Sequence, residues 1–201
     1  MKFLLFAIAT FVAAQSAASL KAQSGVVDLT TLANYANQPI PPYITRNNTP
    51  PNNPITNAGA TLGRVLFYDK RLSRDDTVSC SSCHHQATAF SDTATASTGV
   101  NGTTGRHAMR LIGSRFAAEA KFFWDERAIS LENQTTTPVR DHIEMGFSGT
   151  SGDPAFTDLV TKLGAVPEYR VLFSMTFGSV AIDETRNSES ARAIRAQYSV
   201  V

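Results

Sequence analysis

Cys80-Ser81-Ser82-Cys83-His84 constrains the fold of this chain more than any other stretch. Its two cysteines are the only ones among 201 residues, so a framework of several disulfides is excluded. The CxxCH pentapeptide is the attachment signature of a c-type haem. Residues three apart on a helical turn face the same way, so both thiols can reach the vinyl groups of one porphyrin edge. The adjacent His84 can then swing beneath the ring and ligate iron. Two other chemistries fit the same residues. A zinc site would take Cys80, Cys83 and His84 or His85, with His107 or His142 as fourth ligand. A thiol–disulfide pair would use the CxxC alone, although no βαβ pattern surrounds it.

The start of the chain bears on that choice. Lys2 precedes an apolar run over residues 3–14, and small residues follow. This is the pattern of an export signal, with cleavage after Ala18 or Ala22, and the run is too short to span a bilayer. Export suits covalent attachment, because an exported protein would lose a loosely held cofactor. Eighteen basic side chains against 17 acidic ones, with no run of Lys or Arg, argue against a nucleic-acid surface.

Residues 1–22 are therefore read as the signal and 23–55 as an arm rich in Pro and Asn, since six of the nine prolines fall between Pro39 and Pro54. Residues 56–201 form the domain. Thr56 or Asn57 would cap a helix over 58–68, ending near Asp69. Residues 91–105 are mostly Ser, Thr, Gly and Asn and read as a surface loop. Ser130 would cap a helix through Leu131 and Gln134 that Pro138 stops. Asp153 with Pro154 predicts an N-cap and first-turn pair for a helix bearing Phe156, Leu159, Val160 and Leu163. Pro167 opens another helix, carrying Tyr169, Val171, Leu172 and Met175, that closes at Gly178. A last helical pattern starts at Asp183. No alternating strand pattern stands out. The fold class expected is all-α, a cytochrome c-like helical haem domain whose long loops are organised by the porphyrin rather than by a large apolar core.

The other ligand on the iron would decide function. A sulfur or imidazole closes the site and makes an electron carrier, whereas an open position admits peroxide. His107, Met109, His142, Met145 and Met175 are the candidates for closure. Phe122-Phe123-Trp124, followed by Asp125-Glu126-Arg127, is a dense aromatic cluster that taken alone reads as core.

Several separated motifs, in order, resemble the N-terminal haem domain of the bacterial di-haem cytochrome c peroxidases and the related MauG-type enzymes. They are Leu62-Gly63-Arg64-Val65-Leu66-Phe67-Tyr68-Asp69-Lys70-Arg71-Leu72-Ser73, then Ser79 with CxxCH, then Phe123-Trp124-Asp125-Glu126-Arg127-Ala128, Leu131, Gln134, Pro138 and Glu144-Met145-Gly146. The likeness covers roughly residues 56–201. It implies one covalently attached haem c held by Cys80 and Cys83, with His84 as proximal iron ligand. The second ring nitrogen of His84 should donate to a carbonyl or carboxylate. Glu144 and Gln134 match the family's distal pair: Glu144 would carry a proton between the peroxide oxygens, which wants a raised carboxyl pKa, and Gln134 would orient the peroxide. Trp124 matches the tryptophan between the family's two haems and would pass electrons. The activity implied is reduction of hydrogen peroxide to water with electrons from a small cytochrome c or cupredoxin. MauG-type oxidation of another substrate and a one-haem electron carrier are the alternatives.

The sequence departs from the family in three places. Many relatives carry a distal His in the loop after CxxCH, where this chain reads Ser97-Thr98-Gly99-Val100. That implies an open sixth position, as in the MauG branch. His107 follows Arg106 where the family usually has a calcium-ligating Asn, which counts against an inter-haem calcium. No second CxxCH is present, and the sequence stops within what resembles the helix leading into the second haem domain. The expectation is a truncated di-haem chain or a one-haem descendant.

Overall fold

The first long helix, α1 (Asn57–Tyr68), starts where its cap dictates: the Thr56 hydroxyl accepts from the Gly59 N–H at 3.0 Å. The computed structural model describes residues 20–22, 25–118, 121–179 and 182. Most of the expected export signal and the helical pattern expected from Asp183 lie outside these residues. Two short strands, β1 (Leu20–Ala22) and β2 (Gly25–Val27), pair antiparallel with Leu20 opposite Val27. The arm that follows has no regular structure and is tied to α1 through Asn57, whose side-chain oxygen accepts the Tyr35 and Ala36 N–H groups at 2.8 Å each.

After α1 come a single helical turn, α2 (Cys80–Cys83), and a two-residue hairpin pair, β3 (Thr98–Gly99) and β4 (Gly102–Thr103). Three helices complete the order: α3 (Leu131–Arg140), α4 (Phe156–Gly164) and α5 (Pro167–Phe177). The molecule is mostly helical rather than strictly all-α, because two small antiparallel pairs interrupt it. The β3–β4 pair lies inside the stretch expected to be loop, and polar composition concealed it.

Helices α1 and α5 pack on each other and with α4 bury Leu62, Leu66, Phe67, Leu159, Leu172 and Phe173. Each fully buried side chain of this size contributes roughly 2 kcal/mol. Tyr169, 1% exposed, reaches across from α5 to donate to Asp69 Oδ2 at 2.6 Å. The long segment between α2 and α3 sends Phe90 and Leu111 into this core and supplies most of the lining of the site.

Two helix boundaries differ from the sequence reading. Ser130 caps α3 as expected, accepting from Asn133, but the helix runs through Pro138 to Arg140. Proline so near the C-terminus removes one ladder bond and no more. Asp153 does not cap α4. That helix starts at Phe156, and Asp158 receives the Ala155 N–H at 2.7 Å. Asp153 is instead buried against Arg74, His142 and Ser148. The expected close of α5 is present: Gly178 adopts φ 72°, a left-handed cap that glycine takes without penalty.

Candidate functional site

The CxxCH turn is held by its serines. Ser82 Oγ accepts the Ser79 N–H at 3.0 Å, so the turn is capped although it is only four residues long. Cys80 and Cys83 are half-buried on this turn. Burial pushes the Cys83 thiol up, the opposite of what an exposed redox thiol needs.

His84 follows directly, and its Nδ1–H donates to the Phe90 carbonyl at 2.8 Å. Ala89 and Phe90 both have positive φ, 58° and 57°. Two successive side-chain-bearing residues in this region cost roughly 1–2 kcal/mol each, and the turn they make sets the Phe90 carbonyl against the ring. Burial lowers the His84 pKa against the backbone hydrogen bonds of Phe90 and Met109. A neutral imidazole protonated at Nδ1 keeps its Nε2 lone pair for a metal.

His84 and Cys83 line a cavity of about 430 Å³ together with Met109, Trp124, Gln134 and Glu144. Gln134, 6% exposed on α3, points its amide at the Met109 sulfur, 3.5 Å away. Glu144 sits in the turn after α3, where the Asp141 carboxylate accepts both the Ile143 and Glu144 N–H groups at 2.8 and 2.9 Å. Burial raises the Glu144 carboxyl to about 6; Asp141 adds to the rise and Arg127 opposes it. At the mouth, Arg106 and Arg127 both clasp Asp125 at 2.7 Å and hold its carboxyl at about 2.

Trp124 is not core. It is 66% exposed, with its indole N–H donating to the His107 carbonyl at 3.3 Å. Phe122 bridges to Ala128, and the positive φ of Phe123 and Glu126 turns the intervening chain outward. The aromatic cluster therefore divides: Phe122 packs on the core, Phe123 lies under the Arg127 guanidinium at 3.7 Å, and Trp124 stands at the cavity rim.

The candidates for closing the iron also separate. His107 lines the cavity, but both its nitrogens are engaged, Nε2 with Ser91 Oγ at 3.0 Å and Nδ1 with the Ala94 carbonyl at 2.8 Å. His142 is held by Asp153, Met145 is 3% exposed in the core, and Met175 is 40% exposed on α5. Met109 alone of the five presents a soft ligand atom to the cavity's polar groups. Among the described residues no three His, Cys, Asp or Glu side chains gather as a metal-ion site, so the zinc set is not assembled. A haem fits: two thiols on one turn, an imidazole tautomer fixed for ligation, and a cavity with apolar and polar walls. Sequence reasoning missed Arg74 and Asp153, whose pairing spans 79 positions and leaves no local signal.

Fold and site together define a mostly helical domain built to carry a c-type haem. The description of the di-haem cytochrome c peroxidase family matches residues 57–200, and the chain belongs to that family. It is 32% identical over 142 residues to the methylamine utilization protein MauG of Methylophilus methylotrophus, covering 70% of this chain and 40% of that protein. It is 32% identical over 141 residues to the cytochrome c551 peroxidase of Pseudomonas aeruginosa, covering 70% of this chain and 37% of the relative. A crystal structure of a MauG-like protein associated with microbial copper homeostasis superposes with a TM-score of 0.70 at 35% identity, covering 82% of this chain and 46% of that one. The chain thus spans about 40% of the length of the curated relatives it matches.

Proposed function

We propose that this chain is a periplasmic peroxidase domain carrying one covalent haem c, with residues 1–22 as export signal, 23–55 as arm and 56–201 as the haem domain. The observation that carries the reading is one cavity lined by a neutral, oriented imidazole, His84, and a carboxyl raised to about 6, Glu144. Cys80 and Cys83 would bind the porphyrin and His84 its iron. A haem held there supplies the metal centre at which the peroxide O–O bond is broken. Glu144 in its ionised form takes the proton from one peroxide oxygen and returns it to the other, so that water leaves rather than hydroxide. The Gln134 amide orients the peroxide. Trp124, exposed and at the rim, is the entry for electrons from a small cytochrome c or cupredoxin. No helix among the described residues is long and apolar enough to cross a membrane.

Met109 supports a second reading, a one-haem electron carrier whose iron is closed by the thioether. The test is the haem-loaded chain mixed rapidly with hydrogen peroxide. A high-spin ferric spectrum and a fast reaction, slowed about 10²-fold or more by Glu144→Gln, are expected. A low-spin spectrum inert to peroxide overturns the peroxidase in favour of the carrier.

A further inference from the structure

Behind Glu144 lies a set of charged groups that the proposed chemistry does not use. The Asp153 carboxylate is fully buried and meets Arg74 Nη1 at 2.5 Å. His142 Nδ1 lies 2.8 Å from its other oxygen, and the Ser148 hydroxyl donates to that oxygen at 2.7 Å. Ser148 first, then His142 and Arg74, hold this carboxylate below its usual range against the upward pull of burial. Arg74 also donates to the Asn101 side-chain oxygen, and Asn101 Nδ2 donates to the His142 carbonyl at 2.7 Å.

The same residues grip the Glu144 turn through their backbones. The Arg74 N–H donates to the Met145 carbonyl at 2.9 Å, and the Asn101 N–H to that of Ile143 at 3.2 Å. Between them the Val100 N–H donates to the Glu144 carbonyl at 3.1 Å. The Arg74 stem runs across Gly146, where a Cβ would come within 2.7 Å of Arg74 Cδ. A buried ion pair is a poor route to stability, because apolar side chains of similar volume are often neutral or better. Here Arg74, and Asn101, whose side chain accepts from it, also reach two of the three carbonyls that bracket one carboxyl, through their backbone N–H groups.

We propose that Arg74 and Asp153, linked by Asn101 and His142, form a clamp that positions the Glu144 carboxyl in the cavity. The proposal rests on the reading of Glu144 as the peroxide-facing carboxyl. Arg74 and Asp153 are positioning residues: neither needs to touch peroxide. Their opposite charges make the idea testable. A direct field effect on the Glu144 carboxyl, which also faces Asp141 and Arg127, would lower its pKa on loss of Asp153 and raise it on loss of Arg74. Loss of a clamp lets water reach the carboxyl in both cases and lowers its pKa in both.

The experiment is rapid mixing of the haem-loaded full chain with hydrogen peroxide across pH, with Asp153→Asn, Arg74→Gln and the milder Asn101→Ala. Both charge variants should slow the reaction about 10- to 100-fold and move its acid limb downward, and Asn101→Ala should do so by a few-fold. In a Glu144→Gln background none should slow it further, since the clamp acts through that carboxyl. Amide exchange of Val100 should quicken in all three variants, a readout independent of turnover. Acid limbs moving in opposite directions, or equal slowing in the Glu144→Gln background, overturn the clamp. If Glu144→Gln itself leaves the rate unchanged, the assignment of Glu144 fails, and the clamp is then decided by exchange: unaltered protection at Val100 overturns it.

Discussion

At the residue scale, the role proposed for Glu144 pulls against stability. Its carboxyl is raised from 4.5 to about 6, chiefly by burial. The folded state therefore favours the protonated form. Stability fully present below about pH 4.5 declines as pH rises through 6, by about 2 kcal/mol for a shift of this size. Accepting a peroxide proton requires the ionised form, so the peroxide reaction should rise with pH through about 6 and then level. Glu144→Gln should abolish that limb. At pH 7.5 the same variant should unfold at equal or higher denaturant concentration than the parent, because the buried charge is gone. A variant both slower and less stable would mean that Glu144 holds the turn together rather than serving the cavity.

At the scale of elements, Gly99 and Tyr169 carry the argument. A Cβ on Gly99 would lie 2.1 Å from the Ile143 carbonyl oxygen and 2.8 Å from Glu144 Cα, both backbone atoms with nowhere to yield. Gly99→Ala should thus push β3 off the Glu144 turn and slow the peroxide reaction at least tenfold, a rough figure for loss of positioning. The CxxCH motif is unchanged in this variant and should still take haem, which a mass measurement checks. Tyr169→Phe tests the core. It removes the donor to Asp69 while Arg71 keeps its contacts, and a cost of about 1–3 kcal/mol is expected in denaturant unfolding. These elements also show what sequence could and could not convey. Thr56, Pro167 and Gly178 mark helix ends by hydrogen bonds and dihedrals within a few residues, so α1 and α5 were legible. CxxCH was legible for the same reason. Asp153-Pro154 carries the same local signal as a cap, but a guanidinium 79 positions away took the carboxylate. Phe122-Phe123-Trp124 read as core because composition does not register a positive φ that turns one ring outward.

At the scale of the whole molecule, the apolar core is built largely on α1, α4 and α5, whereas most of the cavity's lining comes from the irregular segment between α2 and α3. Such walls have little to hold them unless a ligand fills the space, so haem attachment should stabilise the domain by linkage. Trp124 reports on this directly, because it is the only tryptophan and stands at the cavity rim. In the haem-loaded chain its emission should be almost wholly quenched by energy transfer to the porphyrin. With Cys80→Ala and Cys83→Ala together, haem is not attached, and the emission should return with the red-shifted maximum of an indole that is 66% exposed. Strong emission from the haem-loaded protein would place Trp124 far from the porphyrin and remove it as the electron entry. Quenched emission leaves a large aromatic face open to solvent beside a redox centre. A face of that kind is where a redox partner or further polypeptide would be felt first, as a blue shift of the emission in the haem-free variant when the partner is added.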